Sequence, residues 1–311
     1  MNAVINFFQG FWLRSRRRFF QYFTQTIKKP NWLLMFVFGR IHIIRSFVIF
    51  LSRRPLSKNY GKGHSLLENF EVANVIESLR NDGLYLGINL PKNLLQEILD
   101  FSTRTIYIGD GNPNFCFYIA EKEKAEIKRG KPFRNAYTLN PSLLCPAIKK
   151  LENDPYLWVV AANYLETDPV LIGSQMWWTF GIQDVVNKSN EHHQGIFRFH
   201  YDLEDYRYLK FMFYLTDVDL TSGCHVCVKG SHKKKKLSHQ FSLFKDKADK
   251  DIIDHYGIEN VINISGSSGF GFAEDPFCFH KGTIPVRSNR LILEVKFASY
   301  NYEFEAKKSY L

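Results

Sequence analysis

Among the 311 residues of this chain, His200, Asp202, His280 and Arg290 are the ones whose types and spacing suit chemistry. On a strand, successive side chains alternate between faces, so a His and an Asp two apart project to one side. One imidazole and one carboxylate a pleat apart can grip adjacent positions on a metal ion, and a distant His supplies a third. Two His and one carboxylate on one face of a cation leave the opposite positions open, as at non-haem Fe(II) sites. The same donors would hold Zn, Co or Mn, so the ligands alone do not choose the metal. Arg290 gives the set a direction. It opens the run Arg290-Leu291-Ile292-Leu293-Glu294-Val295-Lys296-Phe297, where Leu291, Leu293, Val295 and Phe297 form an apolar face and Arg290 points the other way. An inward guanidinium is costly unless paired, and the far carboxylate of 2-oxoglutarate would pair it bidentately. Arg287, in a Pro- and Ser-containing turn, is the second candidate for that role. Together these residues point to an oxygenase.

The elements that must position them follow from the same alternation. Phe197–Asp202 is predicted as a strand, with Phe197, Phe199 and Tyr201 opposite the ligands. Pro276–His280 reads as a second strand ending on the third ligand. In Leu209–Thr216, Leu209, Phe211, Phe213 and Leu215 share an apolar face, while Lys210, Met212, Tyr214 and Thr216 share a mixed one. Lys210 and Tyr214 are therefore candidates to touch cosubstrate or substrate, the alternative being one face of a half-solvated sheet. Gln175, Trp177 and Thr179 form a similar face. Helices are expected over 65–80, over 91–103 with Pro91 in the first turn, and over 141–165 with a break near Asp154-Pro155. Strands are expected to dominate from about residue 169.

The text around the metal pair resembles the phytanoyl-CoA dioxygenase family. The resemblance rests on Lys210 to Asp219, then Ser222-Gly223, then Val228-Lys229-Gly230-Ser231-His232, and on Gly271 to Asp275 before His280 and Lys281-Gly282 after it. It spans roughly residues 70–300 and is sharpest in the second half. It implies a mainly β fold with flanking helices, a double-stranded β-helix of jelly-roll or cupin-like type. It also implies Fe(II) and 2-oxoglutarate, with His200, Asp202 and His280 as catalytic iron ligands and Arg290 as cosubstrate anchor. The expected reaction couples oxidative decarboxylation of 2-oxoglutarate, to succinate and carbon dioxide, with hydroxylation of a substrate C–H bond by dioxygen. Related halogenases lack the carboxylate; Asp202 is present here, which favours hydroxylation. The substrate expected is a small molecule or a lipid-linked one. The alternative from another class is a catalytically silent barrel that binds a ligand or scaffolds a membrane complex.

Other motifs read as structural. His232 of Gly-Ser-His is assigned to a strand end, Lys233–Lys236 to a solvated loop, His192-His193 to a surface loop, and Glu274-Asp275 to a structural turn. Cys224 and Cys227 would face opposite sides of a strand, which spoils chelation. Five cysteines without a regular framework favour a reduced compartment, and a cytoplasmic location.

Charge is distributed unevenly. Residues 1–65 carry twelve Lys or Arg and no Asp or Glu, while the remainder holds 29 basic and 31 acidic residues. The near-neutral body offers no basic surface for nucleic acid. The expected division is therefore a basic, apolar, helical N-terminal arm over 1–64 and an oxygenase domain over 65–311. The run from Trp32 to Leu51 is about long enough to span a bilayer. Arg40, His42 and Arg45 near its middle disfavour that. Basic residues interleaved with Trp and Phe read better as helices in an anionic membrane interface, with peripheral contact through residues 1–60. Packing onto the enzyme or a partner, and an organelle-targeting presequence, are the alternatives.

Overall fold

The computed structural model describes residues 23–67, 71–138, 140–181, 197–242 and 246–302. Helices α1 (Pro30–Phe38), α2 (His42–Ser52) and α3 (Val72–Asp82) precede the first strand, β1 (Leu84–Leu86). Then come α4 (Lys92–Arg104), β2 (Ile106–Gly109), β3 (Cys116–Tyr118), α5 (Lys122–Arg129), β4 (Asn135–Thr138), α6 (Pro146–Glu152) and α7 (Pro155–Leu165). The second half holds β5 (Val170–Thr179), β6 (Tyr208–Tyr214), β7 (His225–Val228), α8 (Leu237–Gln240) and α9 (Asp249–Tyr256). It ends with β8 (Val261–Ile264), β9 (Gly271–Glu274), β10 (His280–Gly282) and β11 (Arg290–Ala298). His192 and His193 lie outside the described residues.

Strands pair antiparallel into an eight-stranded sheet, in the order β1-β9-β6-β11-β5-β4-β2-β3, and a three-stranded sheet, β10-β7-β8. The expected mainly β architecture with helices holds. Main-chain pairing among the described strands gives two sheets rather than one closed ring. Strands β1 to β4 lie before residue 169 and add to the larger sheet. At three or four residues each, they are too short to show an alternating pattern.

Strand β11 sits inside the large sheet, between β5 and β6, and is buried on both faces. Its outer side chains Leu291, Leu293, Val295 and Phe297 share a core with Leu157, Val160 and Ala161 of α7 and Ile148 and Leu151 of α6. The inner phase presents Arg290, Ile292, Glu294 and Lys296, so one strand separates a helix-covered core from a polar interior. The stretch 141–165 breaks where prolines fall. Pro141–Leu143 is a single 3-10 turn, and Pro146 and Pro155 each open a helix. Asp154 caps the last of these by accepting from the N–H of Tyr156 at 2.9 Å, while holding the N–H of Leu66 at 2.6 Å.

Arg40, in the turn between the first two helices, and Arg45 of α2 point inward. Trp32 and Met35 enter a second core with Tyr201, Phe277 and Phe279. Arg40 donates to the carbonyls of Phe36 and Ser242. The guanidinium of Arg45 stands 3.7 Å over the Phe277 ring and 3.9 Å from Asp275. No described helix is long and apolar enough to cross a membrane.

Candidate metal centre

The two ligand-bearing segments are joined through the main chain. His200 and His280 form a bridge pair: the His200 N–H donates to the His280 carbonyl at 3.0 Å, and the reverse bond is 2.8 Å. The Asp202 N–H donates to the carbonyl of Pro276 at 2.8 Å. Two expectations change here. Phe197–Asp202 is not a strand but an irregular segment with isolated bridges at Phe199 and His200. Residues 276–279 form a turn, and His280 opens β10 instead of closing a strand. The alternation survives the irregularity, because Phe199 and Tyr201 are buried in the second core while His200 and Asp202 face a cavity.

Ligand atoms of His200, Asp202 and His280 lie within 4.8 Å of one another. Nδ1 of His200 is 2.8 Å from the Arg198 carbonyl and Nδ1 of His280 is 3.0 Å from that of Cys278, which fixes each ring. The His280 Nε2 is thereby aimed at Asp202, 3.7 Å from Oδ2. Burial lowers the pKa of His280 to about 4, so it stands neutral and able to ligate at ordinary pH. Backbone-anchored imidazoles with a carboxylate suit a divalent first-row metal.

Arg290 lies at another part of the same cavity, 2 % exposed. It pairs with Thr179 across the β11–β5 register and donates from Nη2 to Thr179 Oγ1 at 3.2 Å. Its Nη1 donates to the carbonyl of Gly223. Gly223 has φ of +79° and packs where a Cβ would stand 2.6 Å from the Pro285 ring, so only glycine fits this turn. The Arg290 Nε is buried without a hydrogen-bond partner. A guanidinium with an orphan donor, sharing a cavity with the metal ligands, fits one end of a short dicarboxylate. Arg287 is exposed outside that cavity.

The cavity measures about 280 Å³ and takes side chains from both sheets, with Gln175, Trp177, Met212 and Tyr137 among them. Lys210 is present, 2.8 Å from Asp202 Oδ2 and 2.9 Å from Glu294. Burial opposes its charge, but Asp202, Glu294 and Glu204 together hold its pKa well above the usual lysine value. Tyr214 is buried beside this space: its phenol donates to the Ile264 carbonyl at 2.7 Å and accepts from the His225 N–H at 3.0 Å. It supports β7 from behind and does not line the cavity.

Sequence reasoning left five carboxylate, lysine or imidazole side chains of the lining unassigned to the site: His225, Glu274, Glu294, Lys296 and Glu204. Glu294 and Lys296 were legible as the in-phase partners of Arg290. Glu274 was assigned to a turn, but only Asp275 lies in one; Glu274 closes β9 and contacts His225 at 2.6 Å. Burial raises Glu274 to about 7 and pushes His225 well below the usual histidine value. The Lys233–Lys236 assignment also changes. Lys235 is 4 % exposed, bonds the Phe277 carbonyl at 2.9 Å, and lies 3.9 Å from the ring centres of Tyr201 and Phe279. His232 sits 3.4 Å from Cys278, away from the ligand triad. Cys224 and Cys227 face different neighbours, and all five cysteines are free.

Comparison with known proteins agrees with this geometry. Residues 94–283, more than half of the chain, match the phytanoyl-CoA dioxygenase family model, and the chain belongs to that family. Fe(II) and 2-oxoglutarate are the metal and cosubstrate of this family. Among solved structures, the epimerase SnoN in complex with Fe3+, alpha-ketoglutarate and nogalamycin RO aligns with TM-score 0.51 and 14% identity. That alignment covers 73% of this chain and 82% of SnoN. EvdO2 from Micromonospora carbonacea var. aurantiaca aligns with TM-score 0.51 and 14% identity, covering 75% of this chain and 93% of EvdO2. At that identity the likeness is one of fold. No curated protein matches the chain significantly.

Proposed function

We infer that the chain is an Fe(II)- and 2-oxoglutarate-dependent dioxygenase that hydroxylates a C–H bond of a small-molecule or lipid-linked substrate, releasing succinate and carbon dioxide. The two sheets that clasp the cavity are read as the two halves of a double-stranded β-helix. One observation carries the functional reading: the ligand triad and the buried Arg290 share a single small cavity. A peripheral place at a membrane surface goes with the lipid-linked form of the substrate.

His200, Asp202 and His280 are assigned as metal ligands, and Arg290 with Thr179 as the seat of the distal carboxylate of 2-oxoglutarate. The metal, when bound, supplies dioxygen activation. The chain's own part is positional. Main-chain bonds between His200 and His280 hold two ligands in register before any metal arrives. Low His280 basicity keeps that ligand unprotonated. The outward core of Phe199, Tyr201 and Phe279 keeps bulk water from the back of the site. Lys210 and Glu294 continue the polar lining beyond Asp202 and border the space left for substrate.

Anaerobic titration with Fe(II) and 2-oxoglutarate tests this reading. Wild-type protein is expected to develop the visible charge-transfer band of the chelate, and His200→Ala to lose it. A well-folded wild-type protein with no band would move the silent, ligand-binding barrel to first place.

A further inference from the structure

Helix α2 is amphipathic in the opposite sense to a water-facing surface, and α1 before it carries no charged residue at all. The inward side carries Arg40, in the turn between the helices, and Arg45 of α2, 6 % and 5 % exposed. Their outward side carries Leu33, Leu34, Val37 and Phe38 on α1, and Ile43, Phe47, Phe50 and Leu51 on α2, all exposed. On α2 those four recur at the spacing of one helical stripe, and they are 78 %, 60 %, 63 % and 64 % exposed. Two arginines held inside by carbonyls, rings and Asp275 leave the outer stripe free of charge. Single apolar side chains on a surface need no explanation, but eight on two consecutive helices mark an interaction face.

Charge identifies the partner. The segment that contains these helices holds twelve Lys or Arg and no acid through residue 65. Lys28, Arg54 and Lys58 flank the helices as exposed cations. An apolar stripe bordered by cations matches an anionic bilayer on both counts. Apolar side chains enter the headgroup boundary to a depth of about 5–10 Å, and each nearby cation adds attraction to acidic lipid. The helices have nine and eleven residues. At about 1.5 Å rise per residue they fall well short of the roughly 30 Å hydrocarbon thickness, so they suit the plane of the interface.

We propose that the outward face of α1 and α2 docks this enzyme on the surface of an anionic lipid bilayer, with Ile43, Phe47, Phe50 and Leu51 inserted. None of these residues lines the metal-site cavity, so docking and catalysis are separable. The proposal names the face and the lipid chemistry behind the peripheral position, and it stands whether or not the reaction is hydroxylation.

The test is co-sedimentation of the full chain with vesicles of phosphatidylcholine alone and of phosphatidylcholine mixed with phosphatidylserine. The full chain is expected to pellet with the acidic vesicles, weakly with the neutral ones, and less as salt is raised. In Phe47→Ser/Phe50→Ser, partitioning is expected to weaken on the order of tenfold or more, with circular dichroism and melting unchanged. Folding is checked by spectroscopy rather than by the iron chelate, so failure of the catalytic reading leaves this result intact. Three results overturn the proposal: no pelleting with either vesicle, pelleting unchanged in the double variant, or a wild-type dimer that the variant disperses without any lipid binding. The last would assign the face to a second copy of the chain.

Discussion

The Nζ of Lys210 lies 2.8 Å from Oδ2 of Asp202, so the carboxylate of the candidate metal triad is tied to a lysine eight residues along the chain. The same ammonium reaches Glu294 at 2.9 Å, and Lys296 reaches Glu204 at 2.7 Å, which makes a ladder of alternating charge along the cavity wall. Four of these side chains come from the inner phases of β6 and β11 or from the loop between the metal pair and β6. The pairing explains how Glu294 and Lys296 stay buried, since an unpaired charge there would cost several kcal/mol.

Lys210→Met should therefore destabilise the fold by about 2 kcal/mol, because it leaves Glu294 in the interior with Lys296, 3.6 Å away, as its remaining partner. Adding Glu294→Met should recover much of that loss, since both partners are then apolar. Urea denaturation of the two variants decides the matter. Additive losses would mean that the pair is not a unit.

Arg290→Lys keeps the charge and loses the planar fork. The dissociation constant for 2-oxoglutarate should rise about tenfold or more, with Fe(II) binding little changed. Thr179→Val, which removes one acceptor of the guanidinium, should act in the same direction more weakly. Titration of the chelate band against 2-oxoglutarate at fixed Fe(II) measures both. An unchanged constant in Arg290→Lys would place the cosubstrate carboxylate elsewhere.

Glu274 gives a pH-dependent term in the stability of the metal-free protein. Its folded pKa, about 7, is above the 4.5 of a free glutamate, so the folded state favours the protonated acid. That contribution is fully present below pH 4.5 and is lost as the pH rises through 7. Glu274→Gln cannot ionise and should gain on wild type across that window, by on the order of 2–3 kcal/mol. Denaturation of both proteins at pH 5 and pH 7.5, without metal, gives the comparison. A difference that does not grow with pH would show that Glu274 ionises freely.

Lys235 is enclosed by Tyr201, Phe277 and Phe279, and burial drives its pKa well below the usual lysine value. Methionine has a similar shape without a charge to desolvate. Lys235→Met should raise stability by about 1 kcal/mol at neutral pH, the lost bond to the Phe277 carbonyl offsetting part of the gain. Thermal melting reads the result, and a lowered midpoint would make that bond the dominant effect.

Strict alternation made part of the site legible. Arg290 was assigned inward because Leu291, Leu293, Val295 and Phe297 had to face the other way, and the structure buries those four against helices. The faces of β6 were readable for the same reason. Lys235 was not. A run of four lysines has no internal pattern, and only the ring of aromatics from two distant segments makes one of them an interior residue. Glu274 failed similarly, since a carboxylate before a proline-containing turn looks solvated until β6 and β7 close over it.

Residue types and periodicity alone marked out the candidate metal donors, the inward arginine and the basic, acid-free start of the chain, and a resemblance of motifs marked out the family. These are local properties: side-chain chemistry, and a two-residue repeat that any strand imposes. Tertiary structure decided the rest. It placed His200 against His280 across eighty residues of sequence, turned Arg40 and Arg45 inward, and left Phe47 and Phe50 outside. The helical repeat sorts residues onto faces but cannot say which face meets the protein. Long-range packing settles that choice, because whichever side finds partners for its buried polar groups becomes the inside.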